Sequence, residues 1–474
     1  MPEQPAPRLF SSPVWLGLLL ALVAVILYWP TLTGGLVFDD HNLLEYHPRL
    51  MTLTVREAFT TDFWGMNPTP WKSMHYRPLA LLAYAGMYRL FGMETVAFHL
   101  VNIFLHGVAV LALFLLLDGA GFSRRVSLTA SCLFAVDPLH VEAVAWITGM
   151  METLMVALCL ASLASFVRGR RVWSVVLAGA AMLVKETAFV LPLLVFLLEW
   201  HRTERQPAPQ RPAWRSAEIA ALPYVPLVVI CLAARGIILP RMPEDLQTRV
   251  FDGVPIMASV AAAYLRLLLW PWPLAISYAL PGAGGIAAAF GFVAVATAIL
   301  WRLRRTRPTL FRDVLLSCGL ILLPLAAPVL ASPLMGEWIQ VQDRYAYLSS
   351  AGTCLLAALL LASFSSLKNW GLAVAVLLVA LGAWGTWRQE PVWATSEATW
   401  RCALRITPES QFVSISLARD LVRDGRFHDA ALVIDEALRY RPRSASLGSF
   451  RIKVQQLEAA AIQLRNPTHG IKIP

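Results

Sequence analysis

LVFDDHNLLEYHP, residues 36–48, follows an apolar run from Val14 to Trp29 and sets two adjacent carboxylates, Asp39 and Asp40, beside His41. An apolar run of that length is a candidate membrane span, and the acidic pair stands at its mouth. A solvated loop with a helix cap is the ordinary reading of an isolated acidic dipeptide. Here further polar clusters recur wherever the chain returns to the same face, which gives the pair a reason to hold charge there.

The composition agrees with a membrane protein. The chain has 474 residues, of which 57% are hydrophobic and only 15% charged. Long apolar runs recur from Val14 to Trp387 without the two-residue alternation of an outer-membrane barrel. This predicts an all-α polytopic fold. The net charge of +10 lies largely in short loops, so it reads as a topology signal and not as a nucleic-acid surface. Five of the six cysteines lie in apolar runs, and no disulfide framework or metal-ligand spacing follows. The first run is long and lacks a small-residue cleavage site, so it is read as a span and not as a signal peptide.

Taken in order, Val14–Trp29 leads out to a polar, aromatic-rich first external loop, residues 31–96, suited to helices in the membrane interface. Phe98–Leu117 returns to Arg124 and Arg125. Val126–Val136 goes out to the polar turn at residues 137–142, and Leu154–Val167 comes back to Arg168, Arg170 and Arg171. Val172–Val184 and Thr187–Leu198 form two short arms, so their Lys185-Glu186 tip is recessed below the outer surface. Ala220–Leu239 goes out. Counting Val254–Leu269 as a crossing would put Arg302, Arg304, Arg305 and Arg307 outside, against the positive-inside bias, so it is read as re-entrant or surface-lying. Ala287–Trp301, Val314–Leu330, Thr353–Phe364 and Leu372–Trp387 complete about eleven transmembrane helices, with the C-terminal tail outside.

This divides the chain into a membrane domain, residues 1–388, and a helical tail, residues 389–474. In the tail Pro408 and Pro442 each close a helix-like stretch and stand one tetratricopeptide (TPR) period apart, with small and apolar residues at helix-hairpin spacing between them. An unrelated helical hairpin would look similar. So few repeats rarely stand alone, so the tail is expected to lean on the membrane domain or a partner.

The outward polar groups are Asp39 and Asp40; His75, Tyr76 and Arg77; Asp137, His140 and Glu142; Lys185 and Glu186; and Asp343, Arg344, Tyr345 and Tyr347. His99, Asn102 and His106 share one helix face, where helix–helix hydrogen bonding is the expected use. Asp137 before Pro138 fits a helix cap. Chemistry that fits these groups is transfer from a lipid-phosphate donor to a hydroxyl. A carboxylate takes the acceptor proton, and Arg or Lys stabilises the leaving phosphate. Asp39 and Asp40 are the catalytic candidates. Arg344, Lys185 and Arg77 are the candidates for the donor phosphate, with His41, His75, Tyr76, His140, Glu142, Glu186, Asp343 and Tyr345 around the substrate. The alternatives are Lys185 paired with Glu186 or another carboxylate, and Arg344 paired with Asp343 as a loop brace. Asp39 and Asp40 also offer oxygen ligands to a divalent cation, though two carboxylates make a thin site.

GGLVFDDHNLL at 34–44, YRPLALLAY at 76–84, FHLVNIFLH at 98–106, DPLHVEAVAWITGMMETL at 137–154, LVKET at 183–187, YLRLLLWPWPLAISY at 264–278 and DRYAYLSSAG at 343–352 occur in this order before the repeat tail. Together they resemble the transmembrane-and-tetratricopeptide-repeat (TMTC-like) O-mannosyltransferases of the GT-C superfamily and their bacterial relatives. The resemblance implies a GT-C-type helical bundle, a polyprenyl-phosphate sugar donor carrying mannose, and a protein or glycan acceptor. It also implies an acidic pair near the reacting centre, the place Asp39 and Asp40 occupy. The implied location is the bacterial inner membrane, with site and tail on the periplasmic side. Asp137 and Met150 depart from the pattern, which has a histidine and a basic residue there. A lipid or solute transporter and a membrane-anchored TPR scaffold are the competing readings. The hydropathy shows no inverted repeat, and one repeat is a thin scaffold surface.

The charge asymmetry makes a topology prediction. A single cysteine placed at Arg305 should be labelled by a membrane-impermeant reagent only after the cells are opened. Labelling in intact cells would make Val254–Leu269 a true span.

Overall fold

The computed structural model describes residues 14–46, 49–65, 75–207, 209–239, 253–335, 341–363 and 370–465. Every regular element among them is a helix. The apolar run predicted at Phe98–Leu117 becomes the Thr95–Gly119 helix, whose 25 residues make it long enough to cross a bilayer. It packs against the helices Val14–Leu27, Arg124–Ala135 and Met150–Val167. Its three polar residues on one face are all spent on neighbours. His99 Nε2 lies 3.2 Å from the Gly34 carbonyl, Asn102 donates to the Trp146 carbonyl at 2.7 Å, and His106 Nδ1 lies 2.6 Å from the Tyr347 hydroxyl. In a medium without water, such bonds tie helices together.

Among the described residues seven helices are long and apolar enough to cross a membrane, and the pair Arg124–Ala135 and Pro138–Ala145, bent by 48°, would make an eighth. Val14–Leu27, Arg171–Val184 and Val254–Leu269 are apolar but shorter. Length and composition therefore qualify fewer helices than the eleven crossings expected, because several apolar runs stop short of the bilayer thickness. The two short arms are Arg171–Val184 and Leu191–Glu204, joined through Lys185 and a 3₁₀ turn at Glu186–Val190. Val254–Leu269 buries Val260, Tyr264 and Leu267 against Leu139, Leu325, Val341 and Ala346.

The basic end of the bundle carries its own network. His201 is buried, with Nε2 2.8 Å from Asp313, which also pairs with Arg205 at 3.0 Å. At the opposite end the tail folds as four helices, Ser396–Ile406, Gln411–Arg423, Phe427–Tyr440 and Ala445–Arg465, each packed on the next. It does lean on the membrane part, as so few helices require. The Gly35 N–H donates to the Ala394 carbonyl at 3.0 Å, and Trp146, Trp393 and Trp400 are buried in one shared cluster.

Close helix contact is set by small residues. A side-chain carbon at Gly352 would come within 2.6 Å of the Ser317 carbonyl and 2.8 Å of the Ile321 nitrogen. Gly352→Val should therefore force Tyr347–Ser363 away from Pro308–Ala331 and cost about 1–3 kcal/mol. The measurement is the thermal unfolding midpoint in detergent, with Gly284→Val, which meets nothing within 4 Å, as the control.

Candidate functional site

The site is built on a broken helix. After Arg124–Ala135 the chain makes a 3₁₀ turn at Pro138–His140, a short helix at Val141–Ala145 and a second 3₁₀ turn at Ile147–Gly149. Asp137 caps the first turn through Leu139 N at 3.0 Å, with Pro138 at the first position. The break frees backbone groups in a buried stretch, and side chains from elsewhere satisfy them. The Trp146 carbonyl accepts from Asn102, and the Thr148 carbonyl accepts from the Tyr84 hydroxyl at 2.8 Å. The Thr148 N–H donates to Asp40 at 2.7 Å. Gly149 is required here, since a Cβ would fall 2.3 Å from the Ala143 carbonyl.

Asp39 and Asp40 part ways. Asp40 is fully buried and accepts from Val37 N at 2.9 Å as well as from the Thr148 N–H and hydroxyl. Burial pushes its carboxyl up to about 7, against the pull of those bonds. Asp39 instead lines a polar cavity of about 80 Å3, walled also by Trp64, His75, Arg77, Trp146, Thr148, Gly149, Met151, Glu152, Lys185, Arg344 and Tyr345. Burial pushes the Asp39 carboxyl up to about 6, with Arg344 and an Asn42 hydrogen bond pulling the other way.

Three ion pairs line or back the cavity. Lys185 pairs with Glu152, both buried, and its ammonium lies 4.4 Å from the Tyr345 ring centre. Arg344 pairs with Glu142, and its guanidinium sits 4.7 Å from the Trp146 ring. Arg77 holds Glu186 through two bonds of 3.0 and 2.8 Å, with His75 3.2 Å from the same carboxylate. Three cations thus meet three carboxylates, and Asp39 makes none of the ion pairs among the described residues.

Of the residues singled out from sequence, Asp39, His75, Arg77, Lys185, Arg344 and Tyr345 line the cavity, and Glu142 and Glu186 stand behind it as partners. Five lie apart from it. Asp40 braces the break. His41 bonds Glu45 at 2.7 Å, and Tyr76 donates to the Phe59 carbonyl at 3.2 Å. His140 is buried 2.7 Å from the Ser350 hydroxyl, and Asp343 accepts from the Tyr278 hydroxyl. The alternative brace between Arg344 and Asp343 is not formed. Arg344 turns to Glu142, whose carboxylate also takes the Arg344 backbone N–H at 3.1 Å. Lys185 pairs with Glu152, the other carboxylate that its alternative allowed, and not with Glu186. Glu152 was missed, although an acid at the head of the apolar helix Met150–Val167 carries the signal of an ionisable group at membrane depth. The Asp39–Asp40 cation site loses one ligand, because Asp40's oxygens are already occupied.

The Dolichyl-phosphate-mannose-protein mannosyltransferase family matches residues 75–230, which include His75, Arg77, Glu142, Glu152, Lys185 and Glu186. A Caenorhabditis elegans protein O-mannosyl-transferase, F38B6.6, is 25% identical over 435 residues, covering 87% of this chain and 61% of its own. The human protein O-mannosyl-transferase TMTC1 is 26% identical over 507 residues, covering 92% of this chain and 56% of its own. Drosophila melanogaster Tmtc1 is 34% identical over 190 residues, covering 37% of this chain and 22% of its own. The chain thus spans less than two thirds of the length of these curated relatives, and no solved structure matches it. By these matches it resembles the TMTC-like GT-C glycosyltransferases.

The bracing of the break can be tested apart from activity. Thr148→Val removes one donor to a buried carboxylate and should cost about 1–3 kcal/mol. A carboxyl raised to about 7 contributes stability that is present near pH 4 and lost as pH rises through about 7. Asp40→Asn cannot ionise, so its unfolding midpoint should fall less than the parent's between those pH values.

Proposed function

We propose that this protein transfers mannose from a polyprenyl-phosphate donor to a hydroxyl on a protein or glycan at the outer face of the membrane. The relatives are named as protein O-mannosyl-transferases, which supports the sugar and the acceptor class. The observation that carries the site is Asp39, a carboxylate in the cavity outside every ion pair there. A base needs to be uncommitted to an ion pair and within reach of the acceptor proton.

In this reading the acceptor hydroxyl gives its proton to Asp39 as its oxygen attacks the anomeric carbon. The bond from that carbon to the phosphate oxygen breaks, and the electron pair leaves with the lipid phosphate. Arg344, Lys185 and Arg77 share their remaining donors with that phosphate. Arg344 suits the role, because its Nη1 holds Glu142 while its face lies on Trp146. In this reading the lipid chain lies in an apolar groove of about 490 Å3, lined by Leu133, Leu268, Trp270, Trp272, Leu378 and Trp384, which meets the broken helix at Asp137 and Pro138 and shares no lining residue with the polar cavity. His75, Tyr345 and Trp64 are the groups placed to touch the sugar or acceptor. The division at about residue 388, the TPR-like nature of the tail and a location in a bacterial inner membrane belong to the same proposal.

The test is release of polyprenyl phosphate from polyprenyl-phosphate mannose, with other polyprenyl-phosphate sugars as comparison and with and without chelator. Asp39→Asn should lower turnover roughly 10²–10⁴-fold. With the carboxyl raised to about 6, parent kcat/KM should rise with pH through about 6 and level off above it, as the base ionises. Arg344→Gln should weaken donor use ten- to a hundred-fold, about 1.5–3 kcal/mol. Full activity in Asp39→Asn removes the base assignment, and a parent that releases no lipid phosphate from any sugar donor removes the reaction.

A further inference from the structure

Three successive residues of the first loop point three ways. Phe38 reaches into the tail, Asp39 into the polar cavity, and Asp40 to the Thr148 backbone. The turn that does this puts Phe38 at φ 51°, the left-handed region that a bulky aromatic residue avoids. Such a conformation persists only where surroundings hold it. On the membrane side the hold is Trp146, whose Nε1 donates to the Val37 carbonyl at 2.8 Å and whose ring stacks on Phe38 at 6.0 Å. The turn also closes on itself, with the Asp40 N–H on the Val37 carbonyl at 3.0 Å and the His41 N–H on the Phe38 carbonyl at 3.3 Å, and the tail adds a third hold. The Phe38 N–H donates to the Ser396 hydroxyl at 3.0 Å. The Phe38 ring meets the edges of Trp400 at 5.0 Å and Phe412 at 6.1 Å. Trp400 is itself fixed, donating from Nε1 to Asp420 at 2.8 Å.

We propose that the helical tail is a working part of the reaction centre: Ser396 and Trp400 are positioning residues that keep Phe38 in its left-handed turn and so aim Asp39 into the cavity. The proposal rests on the reading of Asp39 as the base. Without the tail contacts Phe38 keeps only Trp146 and the turn's own bonds against its unfavourable conformation, and any rotation toward an ordinary one carries the next side chain out of line. Donor contacts from Lys185 and Arg77 come from other elements and do not depend on this turn.

The experiment is a kinetic comparison of full-length protein with polyprenyl-phosphate mannose, reading kcat and donor KM separately. Displacement of a reacting group by about 1 Å costs on the order of a hundredfold in rate. Trp400→Ala should therefore lower kcat by about a hundredfold and Ser396→Ala by about tenfold, with donor KM within about twofold of the parent. Trp400→Phe keeps the ring and Ser396→Thr keeps the hydroxyl, so both should recover most of the turnover. Ser396→Ala deletes one oxygen, which keeps the test open if Trp400→Ala does not fold. Asp39→Asn is measured alongside. If it is inactive while folded Ser396→Ala and Trp400→Ala turn over as the parent does, the tail proposal falls alone. If it is fully active, the base reading falls and takes this one with it. A change confined to acceptor KM would also overturn positioning, since it would make the tail an acceptor-binding surface.

Discussion

The structure depends on a buried helix that is broken and whose freed backbone groups are met by side chains from elsewhere in the chain. The break at residues 146–149 frees peptide groups in a buried stretch, and an unmet group there would cost several kcal/mol. Asn102, Tyr84 and Asp40 meet them from three different elements. That requirement draws the Thr95–Gly119 helix, the Pro78–Phe91 helix and the first loop to one point. The cavity exists because those three elements converge there, and Asp39 faces it because Asp40 is anchored next door.

The charges around the cavity follow a second constraint. A charge at this depth is tolerated when a partner of opposite sign lies beside it. Glu152, Glu142 and Glu186 each serve one cation. Each pair joins segments far apart in the chain, so the pairs also fix the walls of the cavity. Because all three cations are already matched, an arriving phosphate must share donors. Lys and Arg permit this, having three and five N–H groups respectively. Asp39 remains as the cavity carboxylate that makes none of the ion pairs among the described residues.

Much of this was legible in the residues. The apolar runs gave the all-helical membrane class, and the face carrying His99, Asn102 and His106 announced helix-to-helix bonding that the structure shows. The shortness of the arms around Lys185 placed it at depth, and Lys185 is indeed buried. Less legible were the partners. As alternatives to a phosphate role, the sequence offered Lys185 with Glu186 or another carboxylate, and Arg344 with Asp343. The structure gives them Glu152 and Glu142, because side chains next to each other in sequence leave the backbone in different directions.

The sequence by itself determined the class of the molecule, the order of its helices and the inventory of charged groups able to do chemistry. Hydrophobic run length and charge asymmetry act locally, so they can be read without coordinates. Tertiary structure alone decided which of Asp39 and Asp40 faces the cavity, and that His41, Tyr76, His140 and Asp343 are braces elsewhere. It also decided that the tail grips Phe38. Those outcomes turn on one left-handed residue and on contacts across more than 350 positions of chain, from Phe38 to Ser396. No local pattern encodes a contact of that span, because it is set by where the whole bundle brings its ends together.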